Sequence, residues 1–176
     1  MKQFHNINKI SLLMVSLTVT QLANAQGVQI GTLIDIKALN CDMIFQKPES
    51  KIAGLLRDFS ANGPKQVKLN KSKQMMTIGG HTYLGIQGHQ YYKTAHTEQD
   101  DLAVDTDVFG GRLIKIALQK HQLANTQSKV YYFVFRGEPT TVLYHLRKVV
   151  GDEWNIENAI DETPQGNSKL SCGYTR

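Results

Sequence analysis

Three histidines fall close together in the middle of the chain, at His81, His89 and His96. Imidazole transfers protons near neutral pH and binds zinc, so three converging rings could form an open catalytic metal site. Their spacings, eight and seven residues, match no compact metal motif. The sequence therefore predicts no metal site and no cofactor. A hydrolase that pairs one of these histidines, or His145, with an acidic residue stays open as an alternative function.

Four aspartates lie in the most polar stretch, HTEQDDLAVDTDVFGG at residues 96–111, and they are Asp100, Asp101, Asp105 and Asp107. Carboxylates at such spacing can bind calcium, but the EF-hand pattern fails because the twelfth residue counted from Asp105 is Ile116 and not glutamate. Runs of acidic residues usually lie in water. We therefore expect a solvated acidic loop whose aspartates form the binding surface for a partner.

The first residues of the chain have the pattern of a secretory signal peptide. Lys2 and Lys9 precede an uncharged apolar stretch at residues 10–22, and Ala23-Asn24-Ala25 is a small-residue cleavage signal. We expect residues 1–25 to be removed after Ala25 and residues 26–176 to form one domain in a periplasm or outside the cell. The residue directly after the cleavage signal is Gln26 and not the cysteine that a lipid anchor requires, and no later stretch is long and apolar enough to span a bilayer, so no membrane anchor is expected.

The chain has two cysteines, Cys41 and Cys172. In an oxidising compartment two cysteines are best interpreted as one disulfide, here closing a loop of 131 residues. A nucleophilic thiol would need a nearby base, and neither cysteine has a histidine beside it in sequence. The disulfide predicts that the first and last segments of the exported domain are neighbours, and paired strands at the edge of the sheet would satisfy this.

Composition excludes several classes of function. The formal net charge of the chain is +5, and removal of Lys2 and Lys9 with the signal peptide lowers it to +3 because that segment holds no acidic residue. The charge is mild and spread along the chain, and export argues against a nucleic-acid partner. The sequence contains no HExxH, GxSxG or Walker A motif.

Period-two alternation of apolar residues predicts a mainly β domain. The first strand is expected to begin at Val28, with Ile30, Ile34 and Ile36 on one face, and to end near Cys41. Further strands are expected at residues 66–70, 74–78, 81–88, 90–96, 112–120, 129–137, 140–150 and 151–160. The run KVYYFVFRG at 129–137 is apolar on both faces, which is typical of a central, covered strand.

One stretch has the period of a helix. Ile52, Leu55, Leu56 and Phe59 fall at i, i+3, i+4 and i+7, with Pro48 suited to a first turn and ANGP at 61–64 as a stop. The fold class that these patterns predict is an antiparallel sandwich, barrel or strongly curved sheet with one short helix. An α+β arrangement, with a sheet packed on a helix, is the alternative.

A small, exported, disulfide-closed domain without a catalytic motif favours a protein-binding module whose partner is another envelope or secreted protein. An inhibitor or immunity factor for an enzyme that acts on the cell envelope is the concrete form, because such proteins need rigid loops on a scaffold. The second alternative, beside the hydrolase, is a small-ligand carrier with an aromatic-lined cavity.

Overall fold

The computed structural model of the protein describes residues 27–41, 51–123, 126–151, 154 and 160–175. The expected signal peptide and Pro48 lie outside these residues. Within them, no helix has the length and apolar character that would let it cross a membrane.

Two sheets make up most of the described chain. The larger sheet has six antiparallel strands in the order β5-β6-β7-β8-β10-β9: β5 Ile86–Lys93, β6 Thr97–Val108, β7 Gly111–Leu123, β8 Thr126–Phe135, β10 Ser168–Thr175 and β9 Ile160–Glu162. The smaller sheet has the order β1-β4-β3-β2: β1 Val28–Gln29, β4 His81–Leu84, β3 Met75–Ile78 and β2 Lys68–Asn70. The mainly β prediction is confirmed, and neither sheet closes into a barrel.

Three helices accompany the sheets: α1 Ile36–Leu39, α2 Ile52–Asn62 and α3 Pro139–Val150, with 3₁₀ turns at Ile30–Leu33 and Pro64–Gln66. The predicted apolar face of α2 is confirmed, since its four apolar residues are all buried. The helix ends where predicted, because Gly63 adopts a φ of 68° and its N–H bonds to the carbonyl of Phe59.

The prediction of a central strand is also confirmed. β8 lies between β7 and β10, and its side chains Tyr131, Phe133 and Phe135 are fully buried. Paired residues of antiparallel strands share a face, so these three define what we call the core face of the larger sheet, together with Leu118, Ile116 and Leu170. The opposite side, which carries Asp101, Ala117 and Tyr132, is the outer face.

The predicted first strand is wrong beyond its first two residues. Only Val28–Gln29 extends, and it pairs in parallel with β4 before the chain turns into the 3₁₀ turn and α1. The Asp35 carboxylate accepts a hydrogen bond from the N–H of Ala38 at 2.9 Å and so caps α1. The isoleucines alternate as in a strand, but Leu33, Ala38 and Leu39 are buried as well. Helical turns allow this, because a strand would direct the adjacent residues Ala38 and Leu39 to opposite faces.

The strand predicted at residues 140–150 is also wrong, because this segment is the helix α3. Val142 and Leu146, four residues apart, are its buried positions, whereas a strand would also have buried Tyr144, which is exposed. Pro139 begins the helix and Gly151, with a φ of 99°, ends it. The described part of the domain therefore has a second short helix of similar length to α2, and α3 packs against β7 and β10.

Two smaller boundaries differ from the prediction. The break near residue 88 falls instead at Gly85, whose φ is 85°, and β5 continues through Gly88 with a bulge. Only part of the strand predicted at 151–160 lies within the described residues. Trp154 is in the core and β9 begins at Ile160, whereas residues 152–153 and 155–159 lie outside the described part.

The predicted disulfide is confirmed. Cys41 and Cys172 are bonded with their Cα atoms 5.2 Å apart. The predicted pairing of edge strands is wrong, because Cys41 follows α1 and Cys172 lies in β10, which has β8 on one side and β9 on the other. Cys172 sits beside Tyr131 on the core face, so the bridge fastens α1 to the middle of the sheet.

Candidate functional site

A groove separates the C-terminal end of α2 from the strand β5. Its volume is about 720 Å³. One wall is formed by residues 62–65, at the end of α2 and directly after it. The other wall is formed by His89, Tyr91 and Lys93 of β5 with Glu98 of β6. The three β5 residues are two apart in sequence, so the pleat of the strand directs all of them to the same side.

The position of β5 in the sheet makes this wall unusual. β5 pairs with β6 along one edge, and among the described residues no strand pairs with its other edge. An unpaired edge presents backbone N–H and C=O groups in a row, and it is a template on which another extended chain can pair. At the start of the strand this edge is already used, because the Ile86 N–H donates to the Gln74 carbonyl at 3.0 Å. From Gly88 to Lys93 the same strand has no partner on its outer edge among the described residues and also lines the groove with its side chains.

The His89 side chain in the β5 wall of the groove forms a buried pair with Asp100. His89 Nε2 and Asp100 Oδ1 are 2.9 Å apart, and the two side chains are only 11% and 5% exposed. The ring of Phe59 from α2 packs on His89 with 5.7 Å between the ring centroids. The carboxylate accepts a hydrogen bond from Nε2–H and so sets the orientation of the imidazole ring, which leaves Nδ1 as an acceptor for a second interaction. No hydroxyl or thiol of a described residue bonds to His89.

An ion pair forms the rim of the groove. Lys93 Nζ donates to Glu98 Oε1 at 2.6 Å. This hydrogen bond holds the pKa of Glu98 below its ordinary value and that of Lys93 above its own. Partial burial, with the nearby Glu98 charge, raises the pKa of Tyr91. Tyr91 is therefore a neutral phenol whose hydroxyl donates to Glu98, and Lys65 adds a positive charge on the opposite wall.

The predicted solvated acidic loop is wrong, because residues 97–108 form β6 in the interior of the sheet. Asp100 is buried on the core face with His89. Asp101 is buried on the outer face, where Lys115 Nζ donates to it at 2.8 Å and Gln99 Nε2 at 2.6 Å. Burial and the Asp101 carboxylate together raise the pKa of the neighbouring Tyr132 hydroxyl.

The other two aspartates lie at the far end of β6 beside Arg112. Arg112 Nε donates to Asp105 at 2.6 Å and Arg112 Nη1 donates to Asp107 at 3.0 Å. The first of these bonds lowers the pKa of Asp105. Asp107 is 72% exposed, so it is the only one of the four predicted residues whose side chain lies mostly in solvent.

The histidines do not share a site. His81 Nδ1 is 2.9 Å from Asp58 Oδ2, which also accepts a hydrogen bond from the Tyr83 hydroxyl at 2.6 Å. His96 lies in the turn between β5 and β6, and His145 lies on α3 against Tyr144. In the part of the chain that the structure describes, no three His, Cys, Asp or Glu side chains are placed to hold a metal ion.

Sequence reasoning missed the groove and the pairing of Asp100 with His89. The alternation of His89, Tyr91 and Lys93 was a detectable signal of a shared face. The position of β5 at the edge was not detectable, because strand order depends on pairings between distant segments. Comparison with protein-family models, curated proteins and solved structures finds no match to this chain.

Proposed function

We propose that this protein is an exported binding module that captures an extended segment of another envelope or secreted protein along β5. The observation that carries the proposal is that β5, whose side chains line the 720 Å³ groove, has no strand paired with its outer edge among the described residues. Strand addition of this kind gains affinity from backbone hydrogen bonds and specificity from side chains at alternate positions.

The chemistry of the groove indicates the kind of segment. His89 donates from Nε2 to Asp100, so its Nδ1 is a hydrogen-bond acceptor, and Lys65 is a cation outside the Lys93–Glu98 pair. Lys65 suits a carboxylate of the incoming strand, and His89 Nδ1 suits the N–H of an amide side chain. The groove is therefore expected to prefer segments that carry an acidic residue at alternate positions.

The scaffold fits the more specific function of an inhibitor or immunity factor for an enzyme that acts on the cell envelope. The groove walls stand on α2 and on β5, which are regular elements packed on one hydrophobic core, and the disulfide fastens α1 to the same core. A preformed surface loses little conformational entropy on binding, and inhibitors rely on this property.

The acidic residues retain a smaller part in the proposal. Asp100 and Asp101 are buried and already paired, so the expected partner-binding surface narrows to Asp105 and Asp107 at the Arg112 end of β6. Both carboxylates share one guanidinium there. A basic group from a partner would compete with Arg112 for Asp107.

The His89–Asp100 pair favours a hydrolase as the second candidate function. A carboxylate that orients an imidazole in a cleft is the arrangement of a general base. The carrier alternative is less well supported, because the aromatic residues Tyr131, Phe133 and Phe135 fill the core and do not line the groove.

Selection from a display library of unstructured peptides tests the binding function. We expect enrichment of segments with acidic residues at alternate positions, and loss of their binding when Lys65 is changed to Glu. Lys73→Glu, in the exposed turn between β2 and β3, is the matched control because it makes the same charge change away from the groove. Peptides that bind equally well to the Lys65→Glu protein would contradict the proposal.

A further inference from the structure

A row of lysines crosses the larger sheet at the end of the groove. Directly paired positions along this row are Lys93 on β5, Glu98 on β6, Lys120 on β7 and Lys129 on β8. Glu98 is the single anion in the row and is bonded to Lys93. Lys120 and Lys129 are therefore two cations directly opposite one another, and neither forms an ion pair with a described residue.

Like charges at directly paired positions destabilise a sheet. Glu98 offsets only part of the repulsion between Lys120 and Lys129, because its single negative charge is shared between Lys93, which donates to it, and Lys120, which attracts it electrostatically. A bound anion would neutralise the remaining charge.

A second cleft opens at the same end of the sheet. Its volume is about 270 Å³, and it lies between the β5–β6 turn and the end of β7. Lys93, Lys120, His96 and His121 all line it, with Glu98 as its only acidic group. The cleft is held in shape by two hydrogen bonds: the Gln122 N–H donates to the His96 carbonyl at 2.9 Å, and Thr97 Oγ1 lies 3.1 Å from His121 Nδ1.

We propose that this cleft binds a phosphate-type oxyanion, either a free ion or a monoester group on a larger molecule. Lys120 is the main charged contact, Lys129 adds charge from the directly paired position on the same face of the sheet, and the imidazole of His96 in the β5–β6 turn donates a hydrogen bond to the oxygens. His121 follows Lys120 in the strand and points to the other face, where it contacts Thr97 and supports the cleft. The site goes beyond the proposed capture of an extended segment. Lys120, His96 and His121 do not line the groove, and Lys65 and Tyr91 do not line the cleft.

Titration of the exported form of the protein with inorganic pyrophosphate, against sodium chloride at matched ionic strength, tests the site. We expect saturable NMR shifts at His96 and at the Lys120 side chain, and a rise in Tm beyond the chloride control. Lys120→Met, which keeps most of the apolar stem, should weaken pyrophosphate binding about tenfold, the effect of losing one charged hydrogen bond. Lys73→Met, a lysine in a distant turn, should leave binding unchanged.

Two further arms sharpen the result. Glycerol 1-phosphate and inorganic phosphate compare the monoester with the free ion: similar binding assigns the site to the phosphate group, and binding of the inorganic ion alone assigns it to the free ion. Lys129→Met should raise the Tm of the ligand-free protein, because it removes one of the two opposed charges. Absence of saturable shifts in the unaltered protein, or an unchanged pyrophosphate response in a folded Lys120→Met/Lys129→Met protein, would overturn the proposal.

Discussion

Asp100 and Asp101 are adjacent in the chain, yet their carboxylates are buried on opposite faces of the same sheet. Asp100 meets His89 on the core face at 2.9 Å, and Asp101 meets Lys115 on the outer face at 2.8 Å. Consecutive residues of a strand point in opposite directions, so two neighbouring acids serve two separate networks. The network on the core face includes His89, which lines the groove.

This arrangement predicts that the four aspartates differ sharply in their contributions to stability. Asp100→Asn and Asp101→Asn should each lower the free energy of unfolding by about 1–3 kcal/mol, because each breaks a charged hydrogen bond between buried or half-buried groups. Asp107→Asn, the same substitution at an exposed position, should change it by less than about 0.5 kcal/mol. Urea denaturation measures all three. Equal, small effects would contradict the burial of the first two.

The sequence predicted these residues as a loop for an understandable reason. Charged residues are rarely buried unless paired, so a run with four aspartates suggests solvent exposure. Their partners His89, Lys115 and Arg112 come from neighbouring strands, and strand register is not visible in a single sequence. The alternation of Leu102 and Val104 within the same run was the local signal that a strand continues through it.

The disulfide gives a second prediction. Cys41→Ser or Cys172→Ser should lower the free energy of unfolding by roughly 2–5 kcal/mol, and the double substitution should cost little more, because each single change already breaks the bond. The chain-entropy contribution for a loop of this length is about 5 kcal/mol. Denaturant unfolding with peptide mapping under non-reducing conditions checks it. Two free thiols in protein purified from an oxidising compartment would refute the bridge.

The cysteine pairing was predictable from the sequence, whereas the path between the cysteines was not. Two cysteines in an exported chain allow a single intramolecular pair. By contrast, residues 30–39 and 140–150 were predicted to lie in strands because apolar residues alternate there. Tertiary packing decided for helical structure: Leu33, Ala38 and Leu39 are buried together in the first segment, and Val142 and Leu146 in the second.

A third prediction concerns the Lys93–Glu98 pair at the groove rim. The pKa of Glu98 is lowered in the folded state, chiefly by the hydrogen bond from Lys93. The pair therefore stabilises the fold above the ordinary pKa of glutamate and loses this contribution as the pH falls through the lowered value. NMR titration should show a lowered Glu98 pKa that rises toward the ordinary range in Lys93→Met. An unchanged Glu98 pKa in that variant would show that Lys93 is not the cause.

Export gives a fourth prediction. If the first segment is a signal peptide cleaved after Ala25, the protein recovered from the envelope fraction should begin at Gln26. Intact-mass spectrometry measures this directly. Recovery of the protein with Met1 still attached would contradict both the expected periplasmic or secreted location and the proposed envelope partner.

Hydrogen exchange along β5 tests the binding function most directly. β5 is the edge of the larger sheet that borders the groove, and β9 is the opposite edge and serves as the internal control. On addition of a display-selected acidic peptide, we predict that amides at alternate positions of residues 88–93 gain protection, because only every second N–H points to the outer edge. The Ile86 N–H already donates to the Gln74 carbonyl at 3.0 Å and is not expected to change. Amides of Ile160–Glu162 should not change. Tight peptide binding that leaves every β5 amide as exchangeable as before would contradict strand addition at this edge.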